Sequence, residues 1–85
     1  MTLKEFIDVA GEYELIRVLH GTSGRVIVSQ SVGVAIKAEK QDILDVKVEH
    51  ISIESVDDHG VKKVRLVVYL NADEYEKTKK PKGRK

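Results

Sequence analysis

Two pairs of strand-like segments constrain the fold of this 85-residue chain more than any other feature. Residues 13–19 and 25–29 are rich in β-branched and aliphatic side chains, and a short turn with two glycines separates them. Residues 46–55 and 61–70 repeat this pattern around a second turn, which ends in Gly60. The sequence therefore predicts two β-hairpins.

The third strand-like segment changes its alternation halfway along. Val46 and Val48 share one parity, whereas Ile51 and Ile53 share the other. Side chains of a strand alternate between its two faces, so a β-bulge near residues 49–50 would return all four to one face.

The N-terminus predicts a short helix that packs on the sheet. Thr2 and Glu5 have the spacing of a capping box, in which a hydroxyl and a carboxylate each bind an otherwise unpaired backbone amide. An apolar stripe follows at helical spacing, up to Gly11. A helix this short is not stable alone, so its stripe needs a packing partner. The stripe consists of Leu3, Phe6, Ile7 and Ala10.

Residues 30–45, between the hairpins, carry a mixed signal. Val32, Val34 and Ile36 alternate as in a strand, whereas residues 38–44 contain good helix formers. We expect a short extended segment followed by a helical turn. A second short helix is expected over residues 72–79, capped by the residue that precedes it, Asn71.

Charge divides the chain into a domain and a tail. Residues 1–76 contain nine basic and fourteen acidic side chains, a net charge of −5, whereas residues 77–85 carry six basic side chains and no acidic one. We interpret residues 1–76 as one α+β domain and residues 77–85 as a flexible, disordered basic tail. The tail's basic residues are Lys77, Lys79, Lys80, Lys82, Arg84 and Lys85.

Three roles for this tail stay open. It can keep the protein in solution, dock on an acidic protein surface, or bind nucleic acid weakly through phosphate contacts. The domain itself lacks the paired aromatic side chains of single-strand-binding sheets, and its acidic residues outnumber its basic ones. Contacts with an acidic partner or with nucleic acid are therefore assigned to the tail alone.

Catalysis is not expected. The chain has no cysteine, so a thiol nucleophile, a disulfide and a thiolate metal site are excluded. His20, His50 and His59 lack metal-ligand spacing, although the two predicted turns would bring His20 and His59 together if they met at one end of the sheet. The segment 21–24 resembles a phosphate loop but leads into a strand rather than a helix. We expect no cofactor and no metal.

The strand over residues 61–70 predicts an oligomer interface, because five successive residues at its end, 66–70, include apolar side chains on both faces. If the helices cover one face, Val67 and Tyr69 on the other face become contacts for a second copy. The N-terminus lacks the apolar run of a signal peptide or membrane span, so we expect a cytoplasmic protein without membrane association.

Three stretches carry a resemblance to known proteins: residues 2–7 (TLKEFI), 13–18 (YELIRV) and 45–53 (DVKVEHISI). Together they resemble small uncharacterised proteins of phages and prophages of low-GC Gram-positive bacteria. The resemblance spans residues 2–70 and does not include the tail. It implies a phage or mobile-element accessory protein in a bacterial host.

Together these features predict an α+β fold in which an N-terminal helix packs on a mainly antiparallel sheet of about four strands. The function we expect is non-enzymatic and proceeds through protein–protein contacts, with a partner protein or as a homodimer. The alternative is a nucleic-acid-associated accessory protein that uses the basic tail.

Overall fold

The computed structural model describes residues 1–79, which form one four-stranded sheet with helices packed on one of its faces. The predicted α+β fold, with its N-terminal helix and mostly antiparallel sheet, is confirmed. The elements in chain order are α1 (Leu3–Ala10), β1 (Leu15–His20), β2 (Val26–Val32), α2 (Gly33–Glu39), a 3₁₀ turn (Gln41–Ile43), β3 (Val48–Asp58), β4 (Val61–Leu70) and α3 (Ala72–Thr78).

Helix α1 begins at the predicted capping box. The Thr2 hydroxyl accepts a hydrogen bond from the Glu5 amide at 3.2 Å, and the Glu5 carboxylate accepts one from the Thr2 amide at 2.9 Å. Three residues of the predicted stripe are buried and Ala10 packs at its edge, so the helix lies on the sheet as expected. The buried residues are Leu3, Phe6 and Ile7.

The strand order is β2-β1-β4-β3. Both predicted hairpins, β1–β2 and β3–β4, are antiparallel, whereas β1 and β4 join them side by side in parallel. The connection from β1 to β4 therefore includes β2, α2 and β3. The core lies between the helices and the face of the sheet that carries Ile16, Val18 and Val68.

The second hairpin follows its sequence closely. The predicted bulge is confirmed, because the register of β3 against β4 shifts between Val48 and His50. A two-residue turn closes the hairpin, with φ of 52° at His59 and 83° at Gly60. Positive φ at both positions is the type I′ geometry that matches strand twist, and glycine adopts it without strain.

The extended segment expected at Val34 and Ile36 is wrong, because strand β2 ends at Val32 and helix α2 begins at Gly33. A side chain at Gly33 would place its Cβ 2.7 Å from the Ile7 side chain. This close approach between α1 and the start of α2 is a tertiary contact, and local alternation does not report it.

Helix α3 follows Asn71, whose side chain accepts a hydrogen bond from the Glu74 amide at 3.0 Å, as the predicted cap requires. The helix continues through Lys77 and Thr78. The first two residues of the predicted tail are therefore helical. Residues 80–85 lie outside the part of the chain that the structure describes.

Candidate protein-binding surface

The β3–β4 hairpin extends beyond the rest of the sheet. Strand β1 pairs with β4 only from Leu66 to Leu70, and this part of the hairpin is called the base. Residues 54–65 continue past the first residues of β1 as a two-stranded unit, called here the distal ribbon. With about 3.4 Å per residue, the five residues of β4 in the ribbon project roughly 17 Å.

Three aliphatic side chains form a surface that we call the exposed strip: Ile51, Ile53 and Val64. Their exposed fractions are 42%, 67% and 56%. Ile51 and Ile53 are two residues apart on β3. Val64 lies opposite Ser55, the next residue of β3 on the same face. Side chains in such register are neighbours on one face of a sheet. The strip is thus a continuous apolar surface.

The exposed strip lies on the same face as the hydrophobic core. Ile51 is paired with Val68, which is fully buried, and Ile53 is paired with Leu66, which packs against the core. The strip therefore begins at Ile51 and Ile53, on the β3 side of the base, and continues to Val64 in the distal ribbon. The helices leave these three side chains exposed. The sequence does contain a signal for this surface. The strands of the second hairpin are longer than those of the first, so the residues at their distal end extend past the first hairpin. Sequence reasoning treated these residues only as strand residues.

The distal ribbon has no net charge. Its acidic residues, Glu54, Asp57 and Asp58, all lie on β3, and its basic residues all lie on β4. Asp58 accepts an ion-pair contact from Lys63 at 3.2 Å, and Glu54 is hydrogen-bonded to Arg65. The ribbon therefore differs from the domain as a whole, which is acidic.

The interface predicted from Val67 and Tyr69 falls on the opposite face, on which no helix of residues 1–79 packs. Val67 is 1% exposed because it lies between Arg17 of β1 and Ser52 of β3 in the sheet. Aliphatic stems of arginine side chains cover apolar neighbours in such positions. Tyr69 is half-buried, with its ring 5.4 Å from that of His50. Val67 offers almost no area to another chain, and an interface at Tyr69 stays a prediction.

Two of the predicted tail contacts, Lys77 and Lys79, lie in or next to α3. The Lys79 ammonium lies 5.5 Å from the centre of the Tyr75 ring, within the range of a cation–π contact. The other four residues are outside the part that the structure describes: Lys80, Lys82, Arg84 and Lys85.

His20 joins the β1–β2 turn to helix α3. Its Nδ1 accepts hydrogen bonds from the backbone amides of Thr22 and Ser23 at 3.3 and 3.1 Å, so the proton lies on Nε2. Nε2 then donates to the Glu76 carboxylate at 2.9 Å. With both ring nitrogens engaged, His20 acts as a structural link.

His59 lies in the turn at the distal tip, whereas His20 pairs with Leu70 at the other end of the sheet. The topology therefore separates the two histidines that a shared metal site would have brought together. Over residues 1–79 the structure contains no cluster of three potential metal ligands.

A surface ion cluster joins α1 to α2. The Lys37 ammonium lies 2.8 Å from both the Asp8 and the Glu12 carboxylates. Hydrogen bonds from Lys37 and Lys4 lower the pKa of Asp8, and hydrogen bonds to Asp8 and Glu12 raise the pKa of Lys37. The arrangement ties the two helices together on the solvent side.

A shallow cleft of about 270 Å³ lies between β2 and α2. Its lining mixes apolar residues such as Ile27 and Ile36 with Glu39 and Lys40.

None of the helices in the described part of the chain is long and apolar enough to cross a membrane. Comparison with protein-family models, curated proteins and solved structures finds no match for this chain.

Proposed function

We propose that this protein acts in the cytoplasm by binding another protein chain through the exposed strip, without catalysing a reaction. The observation that carries the proposal is the exposure of Ile53 and Val64 on the same face as the core. Clustered exposed aliphatic side chains on a soluble domain are typical of protein contact sites. The resemblance to phage accessory proteins stays a prediction and agrees with such a role.

The strip is large enough to contribute to binding but not to carry it alone. Covering its remaining exposed area is worth roughly 2.5–5 kcal/mol, given about 1.5–3 kcal/mol for each fully exposed aliphatic side chain. A micromolar complex needs about 8 kcal/mol after the entropy of association is offset. The partner must therefore bring an apolar surface of its own.

The chemistry of the strip selects the class of partner. The aliphatic side chains of the strip, which continue into a ribbon without net charge, supply neither the positive charge that phosphates require nor an aromatic ring on which a base stacks. Another protein surface supplies the apolar area that such a strip needs.

A capture experiment tests the proposal with a matched control. The double variant Ile53→Thr/Val64→Thr keeps β-branched side chains while it adds hydroxyls to the strip. The control Val61→Thr/Val9→Thr changes two exposed valines outside the strip, with exposed fractions of 59% and 78%. We expect the control to retain every associated protein, further copies of this chain included, and the strip variant to lose them. Equal association by both variants would show that the strip is not the binding surface.

The second candidate function is nucleic-acid binding by the basic tail, and its support is the six positive charges of residues 77–85. Such binding falls steeply with salt, with a slope set by the number of phosphates contacted. We expect no measurable duplex binding at physiological salt, because the acidic domain opposes the tail. Fluorescence anisotropy with the full chain and with a variant lacking residues 77–85 checks this. Tail-dependent micromolar binding to DNA or RNA would favour nucleic-acid binding over protein binding as the function.

A further inference from the structure

We infer that the chain covering the exposed strip is a second copy of this protein, bound about a twofold axis so that strip packs on strip. The inference rests on the proposed function, because it names the partner of the same surface. Three features of the described residues support it: the charge of the ribbon, the distribution of that charge between its strands, and the position of the helices.

Charge favours the ribbon as the meeting point of two identical molecules. Residues 1–76 carry a net charge of −5, so two copies repel each other over most of their surfaces. In the distal ribbon three acidic and three basic side chains cancel. The apolar strip, which runs from the base into this ribbon at Val64, is therefore a place where two copies approach without net repulsion.

The strand edges of the ribbon oppose a different mode of self-association. A twofold axis that pairs like edges would set acidic β3 beside acidic β3, or basic β4 beside basic β4. Like charges directly opposite one another destabilise strand pairs. Contact through the faces avoids this repulsion, and the strip on one face supplies the apolar area.

The helices fix how two ribbons can stack. They lie on the same face as the strip, but over the part of the base where β1 pairs with β4. Two parallel ribbons would bring both helical layers into the same space, whereas antiparallel ribbons keep the layers at opposite ends. A twofold axis across the strip gives this arrangement and closes the assembly as a dimer.

Sedimentation of the purified full chain at increasing concentration tests the inference. We expect a monomer–dimer equilibrium that strengthens slightly with salt, because salt screens the repulsion between acidic domains. Each substitution in the strip acts twice in a symmetric dimer, so Ile53→Thr/Val64→Thr should weaken dimerisation by about 100-fold or more. Val61→Thr/Val9→Thr should leave the equilibrium unchanged.

The absence of cysteine from the chain allows a second, face-specific readout. Ser55→Cys places a thiol opposite Val64 of the strip, and Val61→Cys places one on the other face of the same ribbon. As dimer forms, alkylation of the Ser55→Cys thiol should slow about fivefold or more, while that of the Val61→Cys thiol stays constant.

A strict monomer at high concentration, or equal protection of both thiols, would overturn the inference that a second copy covers the strip. The proposed function fails on a different result, because it requires only that some protein chain associates through the strip. A monomer whose other associated proteins are lost in the strip variant would end this inference and retain the function.

Discussion

Val68 and Val64 lie four residues apart on the same face of the same strand, yet one is fully buried and the other is 56% exposed. Val68 belongs to the base, where β4 has neighbours on both sides and helices above it. Val64 belongs to the distal ribbon, where β3 is the only neighbouring strand among residues 1–79. Identical side chains in one strand thus have different environments: Val68 contributes to stability in the base, and the function proposed for Val64 is contact with another chain.

The comparison also shows how the base supports the ribbon. A two-stranded hairpin alone is marginally stable in water, whereas three or more strands under a hydrophobic layer are stable. Because both ribbon strands continue into the packed base, the strip is presented by backbone that is already ordered. Binding through it then costs less conformational entropy than binding through a loop.

The largest effect is expected from damage to the helical layer over the base. Phe6 of α1 is 7% exposed and part of the core. Phe6→Ala should cost on the order of 3 kcal/mol of unfolding free energy, because it leaves a cavity under α1. Val9→Ala on the same helix, at a 78% exposed position, should cost much less. Urea denaturation of the two variants measures the difference, and similar midpoints would show that α1 does not hold the base.

A direct test of the comparison uses one substitution at two positions of β4. Val68→Ala removes two buried methyl groups and should cost about 2 kcal/mol, whereas Val64→Ala should cost below about 0.5 kcal/mol at a concentration where the protein is monomeric. The loss of intrinsic strand preference is common to both variants, so the difference reports burial. Comparable losses would mean that the ribbon is packed as tightly as the base.

Much of the fold was accessible from the sequence because its signals are local. The capping box at Thr2 and Glu5 marks the start of α1, and the parity change before Ile51 marks the bulge. The bounds of β4 follow from Gly60 and Asn71, the turn and cap residues on either side of it. In each case neighbouring residues determine the geometry, so no distant contact is needed to predict it.

The rest depends on contacts between distant segments. Gly33, at the start of α2, approaches the Ile7 side chain closely, and the parallel pairing of β1 with β4 joins residues about 50 positions apart. The same limit affected the candidate interface. The apolar run at the end of β4 predicted an interface at Val67. The exposed residue is instead Val64, because the second hairpin extends past the first residues of β1.

The smallest effect concerns the ion cluster on the solvent side of the helical layer. Lys37→Gln should lower stability slightly between roughly pH 5 and 9, where Asp8 and Lys37 are both charged. The pKa of Asp8 is lowered in the folded state, so its contribution is lost as pH falls through that lowered value. The pKa of Lys37 is raised, so its contribution is lost as pH rises through the raised value.

Thermal unfolding at neutral pH and at about pH 2 compares this variant with the unmodified protein. The difference between the two proteins should shrink in acid, because Asp8 becomes protonated as the pH falls through its lowered pKa. A difference of the same size at both pH values would mean that Lys37 contributes through packing of its stem and not through charge.

Residue-resolved amide hydrogen exchange at low and high protein concentration tests the central claim most directly, because it reports the ribbon and the base in one measurement. The account predicts that amides of residues 54–65 exchange about tenfold or more slowly at high concentration, while those of Leu66–Leu70 exchange slowly at both concentrations. Ribbon amides that exchange at the same rate at both concentrations would contradict the claim that a second copy covers the exposed strip.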